Sequence, residues 1–250
     1  MFLFMIGLII IFFLVFPRYQ KFKESYQRAY IPELLGKELL DTKRDKEYRV
    51  LVLGTDFPDE GRIEDKRITS ISIIKFSDSK VLAYLLNPED YEMTQSIAEN
   101  FNHEEIESLG RQIEDETQML LNYYMLVDLD KLPDLLDNFP NQTFKFNQDY
   151  ETNSLVIKKG QVFDMNRRLA YHLLSKADSE TWQDYNQRQV SMMFQLYQNW
   201  LETIYNKEFT DYTTYLFKNI VTNIPFEDWL EICLKQLGTN HFEIESYQNI

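Results

Sequence analysis

The 250-residue chain has little of several residue types on which whole classes of protein depend. Its one cysteine, Cys233, excludes an intrachain disulfide, and with only three widely separated histidines it excludes a Cys/His zinc cluster. Seven glycines and seven prolines are too few for a fibrous or disordered protein. Lysine and arginine together number 26 against 40 aspartates and glutamates, and they do not cluster, so no nucleic-acid partner is expected. Cys233 follows a helical apolar pattern and is predicted to be a small core residue.

Hydrophobic residues make up 44% of the chain, which is ample for a buried core. Residues 1–17 carry an uninterrupted apolar run that would span about 22 Å as a helix, somewhat less than the ~30 Å membrane core. No small-residue cleavage site follows, so we interpret this run as an uncleaved transmembrane anchor helix. Residues 18–47 are a charged, weakly helical connector, and residues 48–250 are predicted to form one α/β domain with a helical, aromatic-rich carboxyl-terminal part.

The centre of that domain is predicted between Tyr48 and Asp90. Short apolar runs bounded by turn residues indicate buried strands at Val50–Leu53, Ser70–Phe76 and Val81–Leu86. Beyond them, the pattern alternates between helices and strands, which indicates a sheet covered on both faces by helices. The predicted elements are helices through 106–121, 131–139, 165–174, 185–205 and 226–237, and strands at 123–129, 143–146, 154–158 and 241–245.

Carboxylates follow two of the central strands, Asp56 after the first and Asp90 after the third, with Arg62 and Arg67 in the intervening loop. In open α/β sheets, ligands bind at the carboxyl ends of strands, so these residues could hold a charged ligand. The alternative is that Asp56 and Asp90 are ordinary turn residues beside a glycine and a proline.

Five motifs in order give the chain a family resemblance. They are Leu53-Gly54-Thr55-Asp56, Pro88-Glu89-Asp90, Leu121 to Asp128 with its Tyr-Tyr pair, Leu169-Ala170-Tyr171 after Lys158-Lys159-Gly160-Gln161, and Arg188-Gln189. Together with the amino-terminal anchor, they resemble the LytR-CpsA-Psr family of bacterial cell-envelope proteins. The resemblance covers roughly residues 48 to 205.

The resemblance implies a central mixed sheet between two layers of helices, in a domain outside the cytoplasmic membrane. Active members of the family transfer a glycopolymer from a polyprenyl pyrophosphate to peptidoglycan, with Mg²⁺ bound by acids and the pyrophosphate held by arginines. By the resemblance, Asp56, Asp90 and Arg67 occupy catalytic positions, and the two acids are the metal ligands. Substrate binding would fall to Arg62, Arg67, Arg188 and Gln189.

The match is incomplete at the charged positions. Thr69 stands where the second motif has an aspartate, and Glu89 stands where the third has an arginine. The two arginines of the fourth motif are replaced by Leu173 and Ser175, and an earlier arginine of the fifth is replaced by Tyr185.

We therefore predict a catalytically degenerate member that acts by binding or partner interaction during cell-wall glycopolymer assembly. No cofactor is expected of such a protein, whereas an active one would need Mg²⁺. The alternative is an active phosphotransferase with a rearranged clamp of Arg62, Arg67, Arg167, Arg168 and Arg188. The expected partners are the membrane and a polyprenyl-linked lipid, or other cell-envelope proteins.

The charges beside the anchor oppose the orientation that the resemblance implies. Arg18, Lys21, Lys23 and Arg28 follow the apolar run and no basic residue precedes it, so the positive-inside rule places the domain in the cytoplasm. In that orientation the chain would be a membrane-tethered cytoplasmic regulator. We predict a single-pass protein of the cell membrane with an extracytoplasmic domain, because the resemblance spans many more residues than the flank of the anchor.

Overall fold

The computed structural model describes residues 17–32, 47–56, 67–77, 80–91, 103–131, 133–134, 143–145, 149–152, 155–174, 180–202, 209–236 and 242–246. Within these ranges, none of the helices combines the length and apolarity needed to cross a membrane. The apolar run of the predicted anchor lies outside the described residues, as do Arg62 and most of the helix predicted at 131–139.

A six-stranded mixed sheet forms the centre of the domain, which confirms the predicted α/β class. Its strands are β1 (Tyr48–Asp56), β2 (Arg67–Phe76), β3 (Val81–Leu86), β4 (Tyr123–Asp128), β9 (Ile220–Thr222) and β10 (Phe242–Ser246), in the spatial order β10-β3-β2-β1-β4-β9. The β1–β4 and β3–β10 pairs are parallel, and the β1–β2, β2–β3 and β4–β9 pairs are antiparallel. Two small hairpins lie apart from this sheet, pairing β5 (Thr143–Lys145) with β8 (Val162–Asp164) and β6 (Tyr150–Thr152) with β7 (Leu155–Ile157).

Helices cover both faces of the central sheet. They are α1 (residues 17–29), α2 (His103–Thr117), α3 (Arg167–Leu174), α4 (Trp182–Glu202), α5 (Phe209–Lys218) and α6 (Phe226–Gln236). Because side chains alternate along a strand, Leu51 and Leu53 share one core with Ile106 of α2, whereas Val50 and Val52 share the other with the remaining helices. The domain is therefore a three-layer α/β/α structure, as predicted.

The first described helix, α1, is part of this core. Phe22, Tyr26 and Ala29 are buried, and the Tyr26 hydroxyl donates a hydrogen bond of 2.7 Å to the carbonyl of Ile224. Just beyond α1, Tyr30 forms a parallel bridge with Thr222, which extends the edge of the sheet at β9. This part of the predicted connector thus packs with the domain.

Two helix starts differ from the sequence-based expectation. Helix α3 begins two residues later than predicted, after Asn166, whose side chain caps it by accepting a hydrogen bond from the Leu169 amide. Helix α4 begins after Thr181, whose hydroxyl accepts from the Asp184 amide and donates to the Asp184 carboxylate. Asp184 therefore belongs to the first turn of the helix, in a reciprocal capping arrangement.

Buried phenol and thiol groups make the fold sensitive to alkali. Burial raises the pKa of Tyr124 and of the Cys233 thiol to about 12. It also raises the pKa of five further tyrosines above the usual range, namely Tyr26, Tyr48, Tyr123, Tyr197 and Tyr212. In the unfolded chain these groups lose their protons near pH 8.5 for cysteine and near pH 10 for tyrosine. The unfolded state is therefore favoured as the pH rises from about 9 towards 12, by up to ~1.4 kcal/mol per pH unit for each group.

We expect the urea midpoint, followed by circular dichroism, to fall steeply above about pH 9. The Tyr212→Phe variant removes one buried ionisable group and should weaken this dependence. Tyr19 is 37% exposed, so the Tyr19→Phe variant should leave the dependence unchanged. A midpoint that stays constant to pH 11 would contradict the expectation.

Candidate functional site

The segments that carry the predicted site residues Asp56, Arg67 and Asp90 lie at one end of the sheet. Strands β1 and β3 run in the same direction because both are antiparallel to β2, so Asp56 and Asp90 follow strands that end on the same side. Asp56 is the backbone partner of Arg67 at the start of β2. The structure describes the backbone but not the side chains of these two residues. Strand β2 separates β1 from β3 by roughly 10 Å, and β3 ends level with Leu53, three residues before Asp56.

Asp90 takes part in a local turn. Pro88–Asp90 form a short 3₁₀ helix after Asn87, whose side-chain oxygen accepts from the Glu89 amide. The Asn87 amide nitrogen donates to the Asp90 carboxylate at 3.2 Å, and both Glu89 and Asp90 are exposed. Asp90 therefore has the local role expected of an ordinary turn residue.

The strand end also contains a β-bulge. Gly54 pairs with Ser70 and Thr55 pairs with Ile68, so Thr69 is an extra residue of β2 without a partner in β1. Bulges of this kind redirect a side chain and are common beside functional sites. At Gly54 a Cβ atom would lie 2.7 Å from the Leu129 side chain, which explains the glycine in this motif.

The side chain of Thr69 points into the interior and meets Tyr185 of helix α4. Both residues are buried, and the Tyr185 hydroxyl donates a long hydrogen bond of 3.5 Å to the Thr69 hydroxyl. By the resemblance, these two positions correspond to an aspartate and an arginine. The structure thus brings the two substituted positions together as a neutral hydroxyl pair.

Arg188 and Gln189 hold the end of helix α3. The Arg188 Nε atom donates to the Leu173 carbonyl at 2.6 Å, and the Gln189 amide donates to the Leu174 carbonyl at 3.0 Å. The last carbonyls of a helix have no partner within the helix, so these two side chains satisfy them. Both residues are at least 98% buried.

The charge of Arg188 is balanced by Glu180. The Nη2 atom of Arg188 lies 2.9 Å from Glu180 Oε2, and the Nη1 atom contacts the other carboxylate oxygen. The relative exposure of the two side chains is 1% and 9%, so this is a buried, two-pronged ion pair. The guanidinium also lies 5.5 Å from the centre of the Tyr185 ring.

The other arginines of the rearranged clamp are in different surroundings. Arg167 is exposed and forms a 3.0 Å ion pair with Asp134, and Arg168 is also exposed. Neither converges with Arg188 on one described pocket.

At the position of Thr69, the described side chains lack the carboxylate that the resemblance implies for a magnesium site. Thr69 offers a neutral hydroxyl where the resemblance implies a carboxylate, and that hydroxyl accepts from Tyr185. Magnesium prefers carboxylate ligands in octahedral geometry. Among the side chains that the structure describes, no group of three or more metal-binding residues is present.

An apolar cavity of about 140 Å³ lies between the sheet and helices α4, α5 and α6. The strands contribute Val50, Val52, Ile74, Phe76, Val81, Met125, Val127 and Ile220, and the helices contribute Val190, Met193, Phe194, Leu196, Tyr197, Leu216 and Trp229. The sequence predicted a polyprenyl-linked lipid as a partner, but it did not predict helix α5 or strand β9, which complete the wall of this cavity.

Glu180 and the Thr69–Tyr185 contact are the parts of the site that the sequence did not reveal. Glu180 lies in a polar stretch with no periodic pattern, and Thr69 and Tyr185 are 116 residues apart. The Thr181 cap, which starts α4 just after Glu180, is the local signal that could have pointed to this corner.

Several solved bacterial structures share this fold. Protein gbs0355 from Streptococcus agalactiae is 14% identical with a TM-score of 0.56, and the match covers 82% of this chain and 78% of that one. TagT bound to LIIa-WTA is 12% identical with a TM-score of 0.57, covering 85% and 82%. TagU of B. subtilis is 15% identical with a TM-score of 0.57, covering 80% and 84%.

No protein-family model and no curated protein sequence matches the chain. The relation is therefore one of architecture, because identities of 12–15% accompany coverage of four fifths of the chain. TagT, TagU and gbs0355 are LytR-CpsA-Psr proteins, and the chain has the LytR-CpsA-Psr fold.

Proposed function

We propose that the chain is a membrane-anchored protein of the bacterial cell envelope that binds an apolar lipid chain and does not transfer a glycopolymer. Its part in cell-wall glycopolymer assembly would be to hold a lipid or a partner protein. The observation that carries this proposal is the buried Thr69–Tyr185 pair at the bulge of β2.

That pair removes two charges from the place where the family resemblance implies a metal-binding acid and a phosphate-binding arginine. A guanidinium about 5 Å from a phosphate contributes ~3 kcal/mol at an effective dielectric of 20. The Glu89 carboxylate would repel a phosphate by a comparable amount where the resemblance implies an attracting arginine. Leu173, which is fully buried, supplies no charge at another arginine position. A swing of ~6 kcal/mol corresponds to about four orders of magnitude in rate.

The retained Arg188 supports the same proposal. Its Nε atom holds the Leu173 carbonyl and its other nitrogens meet Glu180, so its charge is balanced within the protein. A phosphate would have to displace the Glu180 carboxylate to reach it. Among the described residues, no contact favours the alternative, an active enzyme with a rearranged arginine clamp.

The cavity supports retention of lipid binding. Its lining is apolar, and pockets of this kind bind hydrocarbon through burial of surface. The LytR-CpsA-Psr fold and the apolar run at residues 1–17 support a place at the outer face of the membrane. The first isoprene units of a polyprenyl lipid are the occupant that we propose for this cavity.

We expect the purified full-length protein to show no polyprenyl pyrophosphate cleavage with Mg²⁺ or Mn²⁺. Cleavage is measured as phosphate release, with an active family member as the positive control. The variant Tyr185→Arg should bind pyrophosphate at least about tenfold more tightly, since an added guanidinium contributes ~3 kcal/mol. The control is Gln183→Arg, which adds the same charge at an exposed position of helix α4. Turnover by the unmodified protein that is lost in Asp56→Ala would contradict the proposal.

A further inference from the structure

The face of β2 that helix α4 covers changes from apolar to polar along the strand. Ile74 and Phe76 line the cavity, and Ser72 and Ser70 follow at alternate positions on the same face. Ile71 lies in the opposite core, against α2. The two serines are at most 1% exposed, and their hydroxyls have no hydrogen-bond partner among the described residues.

The buried side of helix α4 also changes from apolar to polar residues. Val190 and Met193 line the cavity, and Asn186 and Gln189 precede them by about one turn on the buried side. The Asn186 amide nitrogen donates to the Leu86 carbonyl at 2.9 Å.

The Gln189 amide nitrogen is likewise occupied by the Leu174 carbonyl. The side-chain oxygens of Asn186 and Gln189 are buried and accept no hydrogen bond from the residues that the structure describes. We call Ser70, Ser72, Asn186 and Gln189 the polar seam.

The polar seam is complementary to a group that donates a hydrogen bond. An amide oxygen can only accept a hydrogen bond, and the NH₂ groups of Asn186 and Gln189 already donate to main-chain carbonyls. The serine hydroxyls can donate or accept. Buried polar atoms without partners cost free energy, so a ligand that satisfies them gains affinity.

An anionic head group would meet the two carbonyl oxygens. The nearest described cation along α4, Arg188, is balanced by Glu180. Burial of a phosphate without a cation is strongly unfavourable.

We propose that the cavity and the polar seam together bind a short, uncharged isoprenoid alcohol. Its hydrocarbon would lie in the cavity and its hydroxyl in the polar seam. This inference rests on the proposed function, because it names the head group of the lipid that the cavity holds. The cavity, at about 140 Å³, is close to the size of an apolar protein cavity that takes up benzene, so a short isoprenoid is a suitable probe.

The test compares geraniol with geranyl phosphate and geranyl pyrophosphate on the full-length protein, with tryptophan fluorescence as the readout because Trp229 lines the cavity. We expect geraniol to bind at least tenfold more tightly than either phosphorylated form. The Ser70→Ala/Ser72→Ala variant should lose this preference. It should remain folded, since it removes two hydroxyls without partners among the described residues. Ser108→Ala, at an exposed position of helix α2 on the other side of the sheet, is the control and should retain the preference.

Equal or tighter binding of geranyl phosphate would overturn the inference and leave the proposed lipid cavity intact. Geraniol binding that does not change in the double serine variant would also overturn it, because the polar seam would then hold water or nothing. Failure of all three compounds to bind would overturn both the inference and the lipid-binding half of the proposed function. The absence of polyprenyl pyrophosphate cleavage is measured separately by phosphate release.

Discussion

Replacement of Glu180 by leucine is expected to lower the free energy of unfolding by about 3–5 kcal/mol, because it removes the carboxylate that contacts the buried Arg188 guanidinium. The guanidinium is only 1% exposed and cannot reach water without moving helix α4. The single variant Arg188→Met is expected to lower the free energy of unfolding by a similar amount. It removes the cation that contacts the Glu180 carboxylate and the donor that bonds the Leu173 carbonyl. Both changes are measured from urea unfolding curves.

The double variant Glu180→Leu/Arg188→Met distinguishes a charge effect from loss of packing. It removes both charges, so its cost should be at least ~2 kcal/mol smaller than the sum of the two single costs. The surface pair Arg167–Asp134 serves as the control, with side chains 63% and 30% exposed, and Asp134→Ala should cost less than about 1 kcal/mol. If Glu180→Leu left the stability unchanged but increased the affinity for pyrophosphate, Arg188 would be a ligand-binding residue, and Glu180 would take the place of the ligand in the unliganded protein.

Replacement of Tyr26 by alanine is expected to cost about 3–5 kcal/mol of unfolding free energy. The side chain is fully buried, and its ring lies 5.0 to 5.9 Å from those of Phe217, Phe226 and Trp229. Its hydroxyl donates to the Ile224 carbonyl, so Tyr26→Phe alone should cost about 1–2 kcal/mol.

Tyr19, on the same helix, is the matched control. It is 37% exposed and contacts Phe226 edge-on at 5.7 Å, so Tyr19→Ala should cost no more than about 1 kcal/mol. Equal effects of the two alanine variants would mean that helix α1 unfolds independently of the sheet. The expected difference would show that the chain following the apolar run is part of the folded domain.

Patterns local in sequence were sufficient for the central strands. Four to seven consecutive apolar residues between turn residues predict a strand buried on both faces, and β1, β2 and β3 contain the predicted residues. Helix α6 likewise begins after Pro225 and covers the predicted stretch up to Gln236. Helix α1 was harder to predict, because its charged residues suggested an exposed connector. Its aromatic partners in α5 and α6, Phe217, Phe226 and Trp229, lie about 200 residues away in the sequence.

The sequence by itself determined the α/β class, the strand ends that carry Asp56 and Asp90, and the absence of charge at Thr69, Leu173 and Tyr185. These depend on periodicity and residue type, which are local properties. Only the tertiary structure decided that Thr69 is the bulged residue that meets Tyr185, and that Arg188 faces Glu180. Those contacts depend on how α4 crosses the sheet, and the position of a helix on a sheet is set by packing between residues distant in sequence. The sequence of a motif is the same whether its arginine contacts a phosphate or a glutamate. The tertiary structure around the arginine determines which negative charge it balances.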